Sequence, residues 1–104
     1  MSLSKSFLRI AIALVVSTFT ACSVKLYEPV AENTSADVTL EQLKQGKTLY
    51  SSTCNRCHSL YNPQRFSREK WTKNLAKMQP KAKISDDQKA MIYSYLTHNP
   101  NRKK

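Results

Sequence analysis

The sequence predicts an all-α protein built on three main helices, and three observations support this class. Three segments place apolar residues at helical spacing, and two of them begin with a Ser or Thr followed three residues later by Gln, a capping-box pattern. No segment shows the apolar and polar alternation of a half-buried strand. The single glycine among 104 residues also disfavours a β scaffold, because tight hairpin turns use glycine often.

The first 21 residues are predicted to be a removable signal peptide. Lys5 and Arg9 precede an apolar run over residues 10–16, which small and polar residues follow. A run of this length falls short of the roughly 20 apolar residues that span a bilayer. A retained amino-terminal membrane anchor is the alternative, and it is disfavoured on length.

The stretch Phe19, Thr20, Ala21, Cys22 resembles the lipobox of bacterial lipoproteins, although that family usually has Leu at the position of Phe19. The resemblance implies that Cys22 is acylated and becomes the new amino terminus. Ser23 resembles the sorting pattern of outer-membrane lipoproteins. We therefore expect a periplasmic, lipid-anchored protein, with the outer membrane favoured. The alternative is an ordinary signal peptide that leaves Cys22 as a thiol.

The remaining chain divides into three parts. Residues 22–39 lack helical or strand periodicity and are predicted to form a flexible tether. Residues 40–100 form the helical domain, and residues 101–104 are predicted to be a frayed basic tail.

The three helices of the domain have recognisable starts and stops. The first is predicted from Leu40 to Ser51, with Thr39 as its cap. The second begins after Ser67 and is expected to stop at Pro80. The third begins after Ser85 and ends before Asn99 and Pro100. The apolar positions of these helices are predicted to form the core: Leu40, Leu43, Tyr50, Trp71, Leu75, Met78, Ile92, Tyr95 and Leu96.

The segment Cys54, Asn55, Arg56, Cys57, His58 follows the first helix and carries the chemistry. The pattern Cys-x-x-Cys-His is typical of covalent haem attachment, in which two thiols form thioethers with the porphyrin and the histidine binds the iron. The three helices enclose a domain of only about 55 residues, which buries too little apolar surface for comfortable stability, so a large apolar group between the helices would supply the missing core.

Two other interpretations use the same residues. A dithiol redox pair is expected in a βαβ context, which this sequence lacks. A zinc site would need a fourth ligand beside Cys54, Cys57 and His58, and His98 is the only other histidine.

Residues 46 to about 98 resemble a class I type monohaem cytochrome c domain. Gly46 and Tyr50 precede the haem motif, and Ile92, Tyr95 and Leu96 lie on the last helix, as in that family's crossed terminal helices. The resemblance implies a small cytochrome c fold of three main helices wrapped around one covalently bound haem c.

The same resemblance implies a methionine as the second axial ligand of the iron. Met78 is the candidate, because short members of the family often space a tryptophan and a methionine as Trp71 and Met78 are spaced here. The alternative is that Met78 only fills the core. The Pro63 carbonyl is expected to orient His58. Three further side chains are candidates near the haem: Trp71, Arg65 and Arg68.

Positive charge dominates the domain. The chain carries 17 Lys and Arg against 7 Asp and Glu, and only Lys5 and Arg9 of the basic residues lie in the predicted signal peptide. Such a surface steers a protein toward acidic partners, and Lys70, Lys73 and Lys77 form a candidate docking stripe. A solvated, solubilising face is the alternative. Nucleic acid is not an expected partner, since an exported chain without a binding motif has no access to it.

These features together predict a periplasmic electron carrier rather than an enzyme. Its haem would exchange single electrons with acidic redox proteins. The main alternative is a haem-based ligand sensor, or an accessory haem subunit of a larger periplasmic oxidoreductase. A peroxidase is disfavoured, because apart from His98 the sequence offers no evident acid or base for the open side of the iron.

Overall fold

A computed structural model describes residues 24–56, 58–100 and 102, with the Arg56 side chain excepted. Three helices form the domain: α1 is Leu40–Thr53, α2 is Arg68–Ala82 and α3 is Asp86–Thr97. Short 3₁₀ turns cover Ala31–Asn33, Cys54–Arg56 and Pro63–Arg65. Within the described residues the only β pairing is an isolated bridge between Ser35 and Val38, so the all-α prediction is confirmed.

The helix starts follow the predicted capping chemistry. Thr39 and Gln42 form a capping box at α1, and Ser85 and Gln88 form one at α3. The Ser67 hydroxyl accepts the backbone N–H of Lys70 at α2. Each side chain satisfies a backbone N–H that has no partner within the helix.

The predicted end of α2 is wrong by half a turn. Pro80 lies inside the helix, which continues to Ala82 and ends at Lys83 in the left-handed conformation, with φ 55° and ψ 44°. The backbone N–H groups of Lys83 and Ile84 both reach the Gln79 carbonyl. Proline so close to the carboxyl end removes a single helical hydrogen bond, and the capping turn beyond it completes the helix.

The core forms where α1 and α3 cross at Gly46. A Cβ atom at position 46 would overlap the Met91 carbonyl oxygen and lie 2.9 Å from Tyr95 Cβ. The missing side chain therefore lets the two backbones approach closely. Around this crossing the side chains of Leu43, Tyr50, Trp71, Leu75, Ile92, Tyr95 and Leu96 are buried.

Part of the predicted flexible tether packs against the domain, although most of the described residues from 24 to 39 are exposed. The Tyr27 ring stacks on Tyr95 with centroids 4.5 Å apart and an interplanar angle of 7°. Each of the two hydroxyls also donates to the backbone carbonyl of the other residue. Glu28 pairs with Lys47, and Pro29 and Asn33 are buried. Local periodicity does not reveal such contacts, because they join single residues that lie far apart in the sequence.

The tail differs from expectation at its one described residue. The half-buried Arg102 donates to the carbonyls of Phe66 and Leu96, both at 3.3 Å, which ties it to the domain. The signal peptide, Cys22, Cys57 and the other tail residues lie outside the described residues. Among the described helices, none is both long and apolar enough to cross a bilayer.

We expect the domain to lose stability at alkaline pH because of three tyrosines near the helix crossing. Burial raises the pKa of Tyr27, Tyr50 and Tyr95 well above 10. The folded state therefore holds these phenols protonated at a pH where the unfolded chain releases their protons. The free energy of unfolding is therefore unaffected by these phenols below pH 10, and it falls as the pH rises above 10. Each buried phenol is expected to steepen the fall in unfolding free energy by up to about 1.4 kcal/mol per pH unit.

Absorbance of tyrosinate and circular dichroism, followed together from pH 9 to 13, check this expectation. The buried phenols should ionise together with the loss of helix. Complete ionisation of all five tyrosines while the helical signal stays intact would contradict it.

Candidate haem-binding site

One cavity brings three of the predicted haem residues together. Cys54 begins the 3₁₀ turn that continues α1, and His58 follows this turn. Both line a cavity of about 380 Å³, which Met78 of α2 also lines. Residues 20 or more positions apart in sequence thus face the same space. Cys57, the second predicted attachment residue, lies outside the described residues.

The cavity has the chemical character that haem requires. Tyr61, Phe66, Met78 and Ala82 give it apolar walls. Lys70, Lys77 and Lys81 add three cationic groups, while no carboxylate occurs among the described residues that line it. Haem is an apolar disc that carries two carboxylates. The thiol, imidazole and thioether groups, the apolar walls and the excess of positive charge therefore all fit it.

His58 presents the correct nitrogen for metal binding. Its Nδ1 atom lies 2.7 Å from the backbone carbonyl oxygen of Ser59. A carbonyl oxygen only accepts, so Nδ1 is the donor here, and Nε2 is the ring nitrogen left to bind a metal. A hydrogen bond of this kind orients metal-binding histidines and fixes their tautomer.

The expected partner of His58 was a different carbonyl, and the structure corrects this. The Pro63 carbonyl oxygen accepts the indole N–H of Trp71 at 3.0 Å in a buried hydrogen bond. Trp71 is fully buried and packs edge-on against Phe66 and Tyr50. Its N–H is therefore engaged by the loop that follows the haem motif and does not point to a haem carboxylate.

Tyr50 holds the same loop from the other side. Its hydroxyl donates to the Tyr61 carbonyl at 2.7 Å and accepts the Tyr61 N–H at 3.0 Å. The Tyr61 ring in turn lies 5.3 Å from the His58 ring, measured between centroids. A buried residue of α1 thus fixes the position of the loop beside the predicted iron ligand.

The cationic residues at the cavity are partly different from those expected. The Arg65 guanidinium lies over the rings of Tyr61 and Phe66, 5.3 and 5.6 Å from their centroids. Arg68 donates to the Thr97 carbonyl and lines another cavity. Lysines take their place at the haem cavity. Lys70 and Lys77 of the predicted stripe line it, whereas Lys73 does not.

Sequence reasoning missed several lining residues, which are Thr53, Tyr61, Phe66, Asn74, Lys81 and Ala82. A helical signal was present for two of them: Asn74 and Lys81 follow Lys70 by four and eleven residues, which places all three on one face of α2. The aromatic pair Tyr61 and Phe66 lies in an irregular loop, where no periodicity indicates direction.

The zinc alternative is weakened by the position of His98. This residue lies at the carboxyl end of α3, where its Nδ1 atom is 2.7 Å from the Ser94 carbonyl oxygen. It lines a different cavity from Cys54 and His58. A fourth protein ligand for zinc is therefore not provided by this histidine.

A small all-α domain with a Cys-x-x-Cys-His motif, in which the first cysteine, the histidine and a methionine line one largely apolar cavity, has the features of a c-type cytochrome. Comparison with known families agrees: residues 50–104, just over half of the chain, match the dihaem cytochrome c family. The chain belongs to this family. No curated protein and no solved structure matches it significantly.

Family membership establishes a c-type cytochrome with covalently bound haem and a role in electron transfer. The matched family differs from the expected one in the number of haems: the matched family is dihaem, whereas the expected family is monohaem. The 104 residues contain one Cys-x-x-Cys-His motif, and Cys22 is the only other cysteine.

Proposed function

We propose that this chain is a monohaem electron carrier of the periplasm, held to a membrane by acyl chains on Cys22. The observation that carries the proposal is the cavity where Cys54, His58 and Met78 meet. Haem c would be attached through Cys54 and Cys57, with His58 and Met78 as axial ligands. When bound, the haem iron supplies reversible one-electron exchange.

The surrounding residues support a carrier because they hold the ligands rigidly. His58 is oriented by the Ser59 carbonyl, and its loop accepts hydrogen bonds from the buried side chains of Tyr50 and Trp71. Met78 lies on α2, a helix of four turns whose inner face packs on α3. Two ligands on such supports move little between oxidation states, which favours rapid electron exchange over chemistry on a substrate.

A reversible redox titration with carbon monoxide tests the carrier against the sensor alternative. A carrier with both axial positions filled should titrate as a single one-electron transition and leave the reduced spectrum unchanged under carbon monoxide. Ready binding of carbon monoxide by the untreated protein would favour the sensor.

The rim of the cavity supports acidic partners. We name Lys70, Lys77 and Lys81 the α2 rim. All three are exposed, and neither of the two ion pairs among the described residues involves them. An acidic surface that docks here would lie beside the haem edge, where electron exchange is fastest. The same surface suits either a soluble redox protein or a neighbouring subunit of a larger redox complex.

Removing charge from the α2 rim should slow reaction with an anionic oxidant. We expect Lys70→Gln with Lys77→Gln to lower the rate of oxidation by ferricyanide roughly threefold to tenfold at low ionic strength and to flatten its salt dependence. Stopped-flow absorbance measures the rate. Reduction potentials are measured alongside, so that a change in driving force is separated from a change in encounter.

The matched control is Lys44→Gln with Lys83→Gln. It removes the same charge from exposed positions that do not line the cavity. Equal slowing in both double variants would assign the effect to net charge and would count against docking at the α2 rim.

A further inference from the structure

The amino-terminal segment reaches the domain very soon after the proposed anchor. Tyr27 is held by its stack on Tyr95 and by two reciprocal hydrogen bonds. Cys22 precedes Tyr27 by five residues. Since an extended chain spans at most about 3.6 Å per residue, Cys22 lies within about 18 Å of Tyr27. Acyl chains on Cys22 would therefore hold this side of the domain close to the bilayer surface.

The surface around this attachment has a defined composition. Lys25, Leu26 and Tyr27 share a cleft with Asn62, Pro63 and Gln64. Directly beside these residues in sequence are Val24, Tyr61 and Arg65, all exposed. We name the exposed residues Val24, Lys25, Tyr61, Gln64 and Arg65 the loop face. It carries two positive charges and no carboxylate.

The loop face has the residue types that suit a membrane interface. Val24 and Tyr61 are two of the three exposed large apolar side chains among the described residues, with 37% and 39% of their surface exposed. Tyr has an apolar ring with a polar tip, and Lys and Arg extend apolar stems that end in charge. Anionic headgroups attract such cations at short range.

We propose that the loop face lies against the phospholipid headgroups of the membrane that holds the anchor. This inference rests on the proposed acylation of Cys22. Tyr61 belongs both to the loop face and to the haem cavity, and its ring lies beside that of His58. The His58 side of the cavity thus faces the membrane. No α2 lysine lines the cleft of Lys25 and Tyr27, which leaves the α2 rim for a redox partner.

Lysine footprinting tests the orientation. The haem-loaded, acylated full chain is placed in vesicles of phosphatidylcholine with phosphatidylglycerol and treated with a water-soluble acetylating reagent. Mass spectrometry then follows each lysine. We expect acetylation of Lys25 to slow at least fivefold relative to a Cys22→Ser chain exported with an ordinary signal peptide and kept free of vesicles. Lys44 and Lys73, which lie outside the loop face, should change less than twofold.

Intact mass of the mature chain separates the inference from the proposed anchor. If acyl chains are present and Lys25 stays as reactive as in the soluble chain, the loop face does not lie on the membrane, although the anchor is real. Protection of Lys73 in place of Lys25 would place α2 on the membrane and would also overturn the inference. A mature chain without acyl groups would remove the anchor and the inference together.

Discussion

Gly46→Ala is expected to destabilise the domain by about 2 kcal/mol or more, the largest stability effect that we expect from adding one methyl group to this chain. The new Cβ would overlap the Met91 carbonyl oxygen. Backbone atoms of a packed helix cannot move aside as a flexible side chain can, so α1 and α3 must separate. The better helix propensity of alanine offsets only about 1 kcal/mol of this cost.

Thermal unfolding of the haem-loaded protein, followed by circular dichroism, measures the loss. For a domain of this size it corresponds to a fall in melting temperature of roughly 10 °C or more. Gln45→Ala is the control, because Gln45 is the exposed neighbour on the same helix. A melting temperature for Gly46→Ala equal to that of the control would show that the helices do not cross as closely as described.

Met78→Ala is expected to give the largest functional effect. Loss of the thioether removes the ligand that favours the reduced state, so the potential should fall by the order of 0.1 V, within the roughly 0.8 V that axial ligands span. The reduced variant should also bind carbon monoxide, and the weak sulfur-to-iron band of the ferric protein should disappear. Redox titration and absorption spectra measure all three changes.

Met91→Ala is the matched control for this variant. Met91 is also partly buried, but it lies on α3 and does not line the haem cavity. We expect its spectrum and potential to match those of the unmodified protein. If Met78→Ala leaves both unchanged as well, Met78 is a core residue and the second axial ligand must be sought elsewhere.

The helices and their packing were predictable because their signals are local or periodic. Capping boxes specify the starts of α1 and α3 within four residues of sequence. The helical spacing of Ile92, Tyr95 and Leu96 indicated the face that is fully buried. The crossing at Gly46 was expected only from the resemblance to cytochrome c domains, and the structure shows how closely the two backbones approach there.

The remaining features depend on contacts between distant residues or on loops. The stack of Tyr27 on Tyr95 joins the amino-terminal segment to the last helix, and no pattern within residues 22–39 indicates it. The Pro63 carbonyl has the indole of Trp71 as its partner instead of His58, a choice that depends on the path of an irregular loop. Pro80 was expected to end α2, but its effect depends on the capping turn that follows.

The candidate site shows the same division. Cys54 and His58 follow from a short motif, and Met78 from its spacing to Trp71 together with a family resemblance. The structure adds that Cys54, His58 and Met78 line one cavity. The walls formed by Tyr61 and Phe66 could not be predicted, because they depend on the path of the irregular loop between His58 and Ser67.

The most direct test of the central proposal is the absorption spectrum of the denatured protein, taken after export in a host that attaches haem and related to protein concentration. We expect the haem spectrum to persist in denaturant, and the haem to stay on the protein when acidified solvent is used to extract it. The amount of haem should correspond to one haem per chain. A chain without covalent haem under these conditions, or with two haems, would contradict the assignment of a single site at Cys54, Cys57 and His58.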